Sequence, residues 1–101
     1  MDIDKDDGDS NISFKPVSIG AGYTYILKSL KDNKLYIGST TDLQKRIPEH
    51  QSGKVFATKH RLPIKLCYYE AYTEGWMARK REKQLKYFGK AYQTLKKRLM
   101  L

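Results

Sequence analysis

The sequence predicts an α+β fold in which one small sheet of three strands packs against helices, in the order ββαβαα. Two observations support this class. Three segments, at 23–29, 35–39 and 64–72, are rich in β-branched and aromatic residues and are bounded by turn residues. The segments between and after them carry helix capping signals instead. At 101 residues, the chain is long enough to bury one modest core but not two.

The first 20 residues differ in composition from the rest. They hold five Asp against two Lys and have no apolar periodicity until Phe14, so we expect a disordered acidic tail over 1–20 and one domain over 21–101. The tail either folds back over a basic surface as a weak mimic of DNA or only adds solubility. Its start is unlike a signal peptide, and no apolar stretch approaches the roughly 20 residues that span a bilayer. We therefore expect a cytoplasmic protein with no membrane partner, whose lone cysteine, Cys67, packs in the core.

Charge is distributed unevenly along the chain. The formal net charge is +9, and because the tail is acidic, residues 21–101 hold 18 Lys and Arg against six acids, a surplus near +12. A surplus of this size on a small domain favours a polyanionic partner and a salt-dependent affinity for it. A basic surface that serves only solubility is the alternative.

The first two strand segments predict a β-hairpin. Two tight turns are possible, at residues 30–31 or 32–33, and they pair residues whose numbers sum to 61 or 65. Both sums are odd. Because side chains alternate along a strand, Tyr25 and Tyr36 should point to the same face of the sheet in either register.

A helix should follow the hairpin. Thr41 with Gln44 three residues later matches a capping box, so we expect the helix to begin at Asp42. Pro48 lies beyond the first turn, where it removes a helical hydrogen bond and should kink or shorten the helix. The helix should end near residues 52–53.

Three polar side chains are predicted to converge where this hairpin meets the helix. Arg46 and His50 are four residues apart, so they lie on one helical face, and Tyr36 belongs to the strand that leads into that helix. A phenol, a guanidinium and an imidazole are groups that bind phosphate and transfer protons. Gly38 serves either close approach of backbone and substrate or only the strand-to-helix turn, and we favour the turn.

The second half of the domain is predicted to contain a loop, a strand and two helices. A basic loop over 54–63 precedes the third strand. Thr73 should cap a second helix over 74–88, which Gly89 ends, and a basic third helix should cover 90–98. Four aromatic residues of this region are expected in the core unless an exposed one stacks on a base: Tyr68, Tyr69, Tyr72 and Trp76.

A lone acid stands out in the predicted second helix. From Gly75 to the last residue there are nine Lys or Arg and a single carboxylate, Glu82. Glu82 shares a helical face with Ala78 and Leu85, so its carboxylate should lie beside core-facing residues. It either binds a metal or takes part in catalysis, or it pairs with a neighbouring cation at helical spacing.

The polar candidates stand in a distinctive order along the domain. They are Tyr25 in YTYIL, Tyr36 at the start of YIG, Arg46 and His50 in DLQKRIPEH, and Glu82 in REKQLK. This ordered set resembles the GIY-YIG nuclease family, and more narrowly its small single-domain bacterial members, over about residues 22–98. The first motif differs from the family name, because Tyr23 and Thr24 stand where the family often has Gly and Ile.

The resemblance implies a three-stranded antiparallel sheet and metal-dependent hydrolysis of phosphodiester bonds. It implies one divalent metal, Mg²⁺ or Mn²⁺, held chiefly by Glu82. Tyr36 would deprotonate or position the attacking water, and a cation such as Arg46, the bound metal or a proton relay through His50 would offset its high reference pKa. Arg46 would grip the scissile phosphate and Tyr25 would orient groups around the pocket. We expect these five side chains to line one concave surface.

The leading hypothesis is a structure-selective or weakly selective DNA endonuclease, with a link to DNA repair or recombination. A nucleic-acid-binding module of the same fold that cuts nothing, and a protein interaction domain, are the alternatives. The residues do not separate DNA from RNA, nor do they specify an oligomeric state. Seven basic residues outside the catalytic set are expected to contact nucleic acid: Lys54, Lys59, His60, Arg61, Arg79, Lys83 and Lys86.

Overall fold

The structure is a computed structural model and describes residues 21–101. Its elements are β1 (Gly22–Ser29), β2 (Leu35–Thr40), α1 (Leu43–Gln51), a 3₁₀ turn (Lys59–Arg61), β3 (Ile64–Tyr72), α2 (Gly75–Tyr87) and α3 (Gly89–Leu99). The predicted α+β class and the order ββαβαα are confirmed. The predicted acidic tail lies outside the described residues.

The sheet is antiparallel with strand order β2-β1-β3, so β2 is an edge strand and β1 is central. In the hairpin Tyr25 pairs with Gly38, and Leu27 pairs with Tyr36. Partner numbers therefore sum to 63, and neither predicted register is right. The sum is still odd, so Tyr25 and Tyr36 do share a face of the sheet.

The hairpin connection explains the error in register. A four-residue loop over 30–33 takes the place of a two-residue turn, and the Ser29 N–H donates to the Lys34 carbonyl at 2.9 Å to close it. Asn33 in this loop has φ 62, a left-handed conformation that asparagine tolerates better than most residues. The loop is centred between residues 31 and 32, one residue from the centre of either predicted tight turn, and this change of centre makes the sum 63 instead of 61 or 65.

The two faces of the sheet pack against different helices. On one face, Ile26 and Ile37 are buried with Leu85 of α2 and Leu95 of α3. On the other face, the buried residues Tyr25, Leu27 and Ile64 pack against Leu43 and Ile47 of α1. Side chains at alternate positions of β1 and β2 therefore belong to two separate apolar layers, an α2/α3 face and an α1 face.

The N-terminal end of α1 is capped differently from the prediction. The Asp42 carboxylate accepts a hydrogen bond from the Lys45 N–H at 3.1 Å, so Asp42 and not Thr41 is the capping residue. Pro48 lies inside α1 without ending it, and the Ser52 N–H donates to the Pro48 carbonyl at 2.9 Å. The helix thus continues through position 50.

The predicted start of α2 and the predicted boundary between α2 and α3 are also corrected. Thr73 does not cap α2, because its hydroxyl is directed to the Met77 sulfur at 3.9 Å and the residue at the cap position is Glu74. Gly89 does not end α2 but is the first residue of α3. The break falls at Phe88, whose φ of −116° and ψ of 90° are not helical.

Two of the four aromatic residues expected in the core are exposed. Tyr69 is 46% exposed and Trp76 is 50% exposed. Tyr68 and Tyr72 are half-buried, and both hydroxyls donate to the Glu70 carboxylate. Arg81 of α2 pairs with that carboxylate at 3.0 Å, so this polar cluster joins β3 to α2.

Among the described residues, no helix is long and apolar enough to cross a membrane.

Candidate active site

Gly38 allows Tyr25 to pass beneath the edge strand. A Cβ atom at position 38 would lie 2.5 Å from the Tyr25 hydroxyl oxygen and 2.6 Å from Cζ, far inside normal contact distance. The absent side chain therefore makes room for the Tyr25 phenol. The structure thus shows close packing against Tyr25 as the reason for this glycine, instead of the strand-to-helix turn that the sequence favours.

His50 is fully buried between two hydroxyl groups. Its Nε2 and the Tyr25 hydroxyl oxygen are 2.8 Å apart, and its Nδ1 lies 2.8 Å from the Thr58 hydroxyl oxygen. Thr58 is also fully buried. A neutral imidazole has one donor and one acceptor nitrogen, and either tautomer is satisfied by two hydroxyls that both donate and accept. The spacing of Arg46 and His50 predicted the helix face, but no local signal identified Thr58 as the third member of this chain.

The protonation states of this cluster follow from its burial. Burial, with the nearby Arg46 guanidinium, lowers the pKa of His50 to about 4, so the imidazole is neutral at pH 7. Burial likewise raises the pKa of the Tyr25 hydroxyl, which therefore keeps its proton. A proton relay through His50 leads only from Tyr25 to buried Thr58, so the geometry favours a positioning role for this imidazole.

Arg46 presents a cation at the solvent side of the same cluster. Its side chain is 38% exposed and its Nη1 lies 3.2 Å from the Glu49 carboxylate. The adjacent Tyr25 hydroxyl raises the pKa of Arg46 further, so its charge is permanent. The guanidinium is thus held between Tyr25 and Glu49 while part of it faces solvent.

Tyr36 lies on the same face as Tyr25. Its half-buried ring is tilted against the His50 ring, with 5.4 Å between the ring centroids. The Lys86 ammonium lies 6.0 Å from the Tyr36 ring centroid. Four of the five predicted catalytic side chains are therefore close together on the α1 face: Tyr25, Tyr36, Arg46 and His50.

Glu82 is held on the other face of the sheet. The Ser39 hydroxyl donates to one carboxylate oxygen at 2.5 Å, and the Lys86 ammonium lies 2.6 Å from the other. Ser39 is two residues after Ile37, so it points to the α2/α3 face. The ion pair with Lys86 is the pairing at helical spacing that the sequence also allowed.

Contrary to expectation, the five groups do not lie on one surface. Four lie on the α1 face and Glu82 lies on the other face of the sheet, on the two sides of the edge strand β2. Residues 39–41 line two shallow cavities, one on each side of β2. The cavity on the α1 side, of about 260 Å³, contains Arg46, and that on the α2 side, of about 220 Å³, contains Arg79. Lys86 connects the two sides, because it contacts Glu82 and approaches Tyr36. A ligand that engages all five groups must cross the β2 edge.

The donor set for a metal is sparse. Within residues 21–101, no group of three or more His, Cys, Asp or Glu side chains is positioned to hold a metal ion. Mg²⁺ retains several water ligands and is bound through one or two carboxylates together with substrate phosphates. Glu82, whose side chain is 20% exposed, fits that pattern of binding if Lys86 moves away from it.

The seven basic residues expected to contact nucleic acid fall into two groups. Arg61 is half-buried and the other six side chains are exposed. Four belong to the segment between α1 and β3, where the Lys59 ammonium lies 5.0 Å from the Phe56 ring centroid. Three belong to α2, on the opposite face of the sheet. They are Lys54, Lys59, His60 and Arg61 in the first group, and Arg79, Lys83 and Lys86 in the second.

A three-stranded antiparallel sheet between two helical layers, with this polar cluster at its edge, defines a small α+β domain. The GIY-YIG catalytic domain matches residues 21–96, nearly the whole described region. The chain belongs to the GIY-YIG family, a family of nucleases, as its ordered motifs predicted.

Similar proteins carry names that specify no activity. UPF0213 protein SH2523 of Staphylococcus haemolyticus is 42% identical over 69 residues, 67% of this chain and 83% of that protein. UPF0213 protein SpyM3_1077 of Streptococcus pyogenes is 47% identical over 51 residues, 50% of this chain and 54% of that protein. The chain thus spans about half the length of this streptococcal relative. The solution NMR structure of UPF0213 protein BH0048 from Bacillus halodurans is 35% identical, covers 74% of this chain and 82% of that one, and has a TM-score of 0.46.

Proposed function

We propose that the protein is a divalent-metal-dependent endonuclease that hydrolyses phosphodiester bonds in DNA, with selectivity for DNA structure rather than sequence. The observation that carries the proposal is the placement of two phenols and a guanidinium on one face of the edge strand β2 and of a carboxylate on its other face, with Lys86 between them, on a domain with a surplus of cations. A link to DNA repair or recombination belongs to the same proposal, because structure-selective cleavage serves those processes.

Arg46 is the proposed ligand of the scissile phosphate. Its guanidinium pairs with Glu49 at 3.2 Å, lies near the Tyr25 hydroxyl and is partly exposed, so it is oriented before the substrate arrives. A preorganised donor stabilises charge that develops on the phosphate in the transition state without the cost of reorganisation. The chain from Tyr25 through His50 to Thr58 maintains this orientation, since its two hydrogen bonds are buried.

Tyr36 is the proposed group that positions or deprotonates the attacking water. Its phenol belongs to the same face as Tyr25, and its ring packs against His50. The Lys86 ammonium of α2 lies 6.0 Å from the ring centroid, so a cation stands beside this phenol. His50 supports the ring and is not assigned a proton transfer.

Glu82 is the proposed metal ligand, with Mg²⁺ or Mn²⁺ as the ion. A divalent cation bound there supplies charge stabilisation at the phosphate and the leaving oxygen. Ser39 would hold the carboxylate in position through its 2.5 Å hydrogen bond, and Lys86 would turn from the carboxylate toward the substrate.

A nucleic-acid-binding module that does not cleave is the second candidate. One observation favours it: both Glu82 oxygens already have partners, Ser39 and Lys86. If those contacts persist with substrate bound, Glu82 is a structural ion pair and the chain is a binder.

The two candidates are separated by cleavage of a panel of labelled duplex, nicked, flapped and branched DNA with Mg²⁺ or Mn²⁺ and with a chelator. Glu82→Gln keeps the size of the side chain but removes the charge that a hard cation needs. Cleavage should be lost while DNA affinity without metal stays level or rises. Glu74→Gln at the start of α2 is the matched control, since Glu74 is exposed and contacts Trp76 instead of the site.

Thermal unfolding of both variants excludes a folding defect. A well-folded Glu82→Gln protein that cuts at the wild-type rate would remove the metal assignment. A wild-type protein that binds DNA but cuts none of the panel would favour the binding module.

A further inference from the structure

A second cationic cavity lies at the hairpin end of the sheet, away from the candidate active site. Its volume is about 470 Å³, and it is bordered by the hairpin, the 3₁₀ turn and α3. Four cations line it from four separate parts of the chain: Lys28, Lys34, Arg61 and Lys96. We call it the hairpin cavity. Arg61 is also one of the basic loop residues that the sequence predicts as nucleic-acid contacts.

Three of the four cations of the hairpin cavity are partly withdrawn from solvent. Lys28, Arg61 and Lys96 are half-buried, and Lys34 is exposed. Within residues 21–101, none of the four cations has a carboxylate within 4 Å. The exposed acid nearby, Asp32, accepts the Lys34 backbone N–H at 3.0 Å through its Oδ1. That hydrogen bond, followed by the Ser29 hydroxyl and the charges of Arg61 and Lys34, lowers the pKa of the Asp32 carboxyl, so Asp32 offsets part of the positive charge at this end of the cavity.

The fold positions these cations rather than leaving them free on the surface. Lys28 is in the central strand and pairs with Leu35. Arg61 is anchored through its backbone, because the Ser29 hydroxyl donates to the Arg61 carbonyl at 2.7 Å. The Lys96 ammonium lies 5.2 Å from the Tyr92 ring centroid, which restricts where it can point.

We propose that the hairpin cavity is a second binding site for the phosphodiester backbone of the substrate nucleic acid. This inference rests on the proposed function, since it takes the substrate to be a nucleic acid. Four cations at one cavity suit a ligand with several phosphates in a row better than a ligand with a single charge. An aromatic ring beside them adds a surface against which a base or sugar packs.

The cavity is close enough to the candidate active site for one strand to reach both. Leu35, at the cavity, is four residues along β2 from Ser39, at the candidate site, which is about 13 Å of extended strand. Phosphates of one strand repeat every 3.4 Å along a duplex axis. A substrate arm of about four nucleotides therefore covers the separation.

The test compares two double variants that lose the same charge. Lys28→Gln with Lys96→Gln removes two half-buried cations of the cavity. Lys90→Gln with Lys97→Gln removes two exposed lysines of α3, neither of which lines the cavity. Fluorescence anisotropy with a labelled duplex, without metal, gives the affinity of the full chain over a range of salt concentrations.

The cavity variant should weaken binding at low salt by about tenfold, and the slope of log K against log salt should become shallower by about 1.8, since each lost phosphate contact changes it by about 0.9. The control variant should change the slope by less than half as much. Equal losses in the two variants would overturn the proposal, because the cavity would then contribute no more than any other lysine pair.

Two further measurements complete the test. The first distinguishes nucleic acid from free polyphosphate as the ligand of the cavity, and the second distinguishes failure of the cavity proposal from failure of the proposed nuclease function. If the cavity variant loses binding of inorganic triphosphate but keeps that of the duplex, the cavity is a site for free polyphosphate and the proposal is wrong. If the wild-type protein cleaves DNA but the two double variants bind it equally well, the binding role of the cavity is refuted and the nuclease function stands. Absence of cleavage together with the selective loss of binding refutes the nuclease and supports the cavity.

Discussion

The substitution Gly38→Ala tests the packing on which the candidate site depends. The added methyl group would lie 2.5 Å from the Tyr25 hydroxyl oxygen and 2.6 Å from Cζ, whereas ordinary carbon contacts begin near 3.4 Å. Tyr25 has little freedom to move, because it is 1% exposed and its hydroxyl is hydrogen-bonded to His50. The strand must therefore shift or the buried hydrogen bond must break.

The expected cost follows from these two outcomes. Overpacking of a core by a methyl group costs about 1 to 3 kcal/mol, and an unsatisfied buried polar group costs about 1 to 3 kcal/mol. Because one response partly relieves the other, we expect Gly38→Ala to lower the free energy of unfolding by about 2 to 4 kcal/mol. For a domain of this size, that lowers the unfolding midpoint by at least about 8 °C.

Gly89→Ala is the matched control. No atom lies within 4 Å of a Cβ built at Gly89, and the residue begins α3, where alanine is a better helix former than glycine. Its free energy of unfolding should be unchanged or up to about 1 kcal/mol higher. Urea unfolding followed by circular dichroism measures both variants.

A double variant examines the cause of the destabilisation. Tyr25→Phe removes the oxygen atom nearest to the added methyl group, so Gly38→Ala should cost less in a Tyr25→Phe background than in the wild type. Cζ remains in contact, so the relief is partial. A Gly38→Ala protein as stable as Gly89→Ala would refute the steric reasoning and return Gly38 to the turn role.

Two other predictions concern pH and catalysis. The pKa of His50 in the folded protein, about 4, lies below the value of 6.5 in an unfolded chain. The neutral imidazole therefore contributes fully to stability above pH 6.5, and this contribution is lost as the pH falls from 6.5 toward 4. The contribution is on the order of 3 kcal/mol. His50→Gln should flatten that part of the stability profile, and an unchanged slope between pH 4 and 6.5 would contradict a buried neutral imidazole. Arg46→Ala should lower cleavage by about 10² to 10³ while weakening DNA binding only a few-fold, and Lys45→Ala, an exposed neighbour in the same cavity, should change binding alone. Filter binding and cleavage on the same samples check this, and equal losses for Arg46→Ala would reduce it to an ordinary phosphate contact.

Local rules were sufficient for the elements and for part of the site. Strand alternation predicted that Tyr25 and Tyr36 share a face, and it did so although both assumed turns were wrong, since the parity of the register did not change. Helical periodicity predicted that Arg46 and His50 lie one turn apart on α1. Both rules act within a hairpin or a helix, so they do not depend on how the elements pack.

Tertiary packing decided what those residues contact. His50 is buried between Tyr25 and Thr58, and Thr58 belongs to a loop, where no periodicity predicts its position. This burial keeps the imidazole neutral. The space that Gly38 leaves is used by a side chain from the neighbouring strand, which no local signal specifies. Glu82 lies on the opposite face of the sheet from Tyr36 because α2 packs against Ile26 and Ile37. That packing also brings the Ser39 hydroxyl to its carboxylate, whereas the ion pair with Lys86 is local to α2 and was allowed by helical spacing alone.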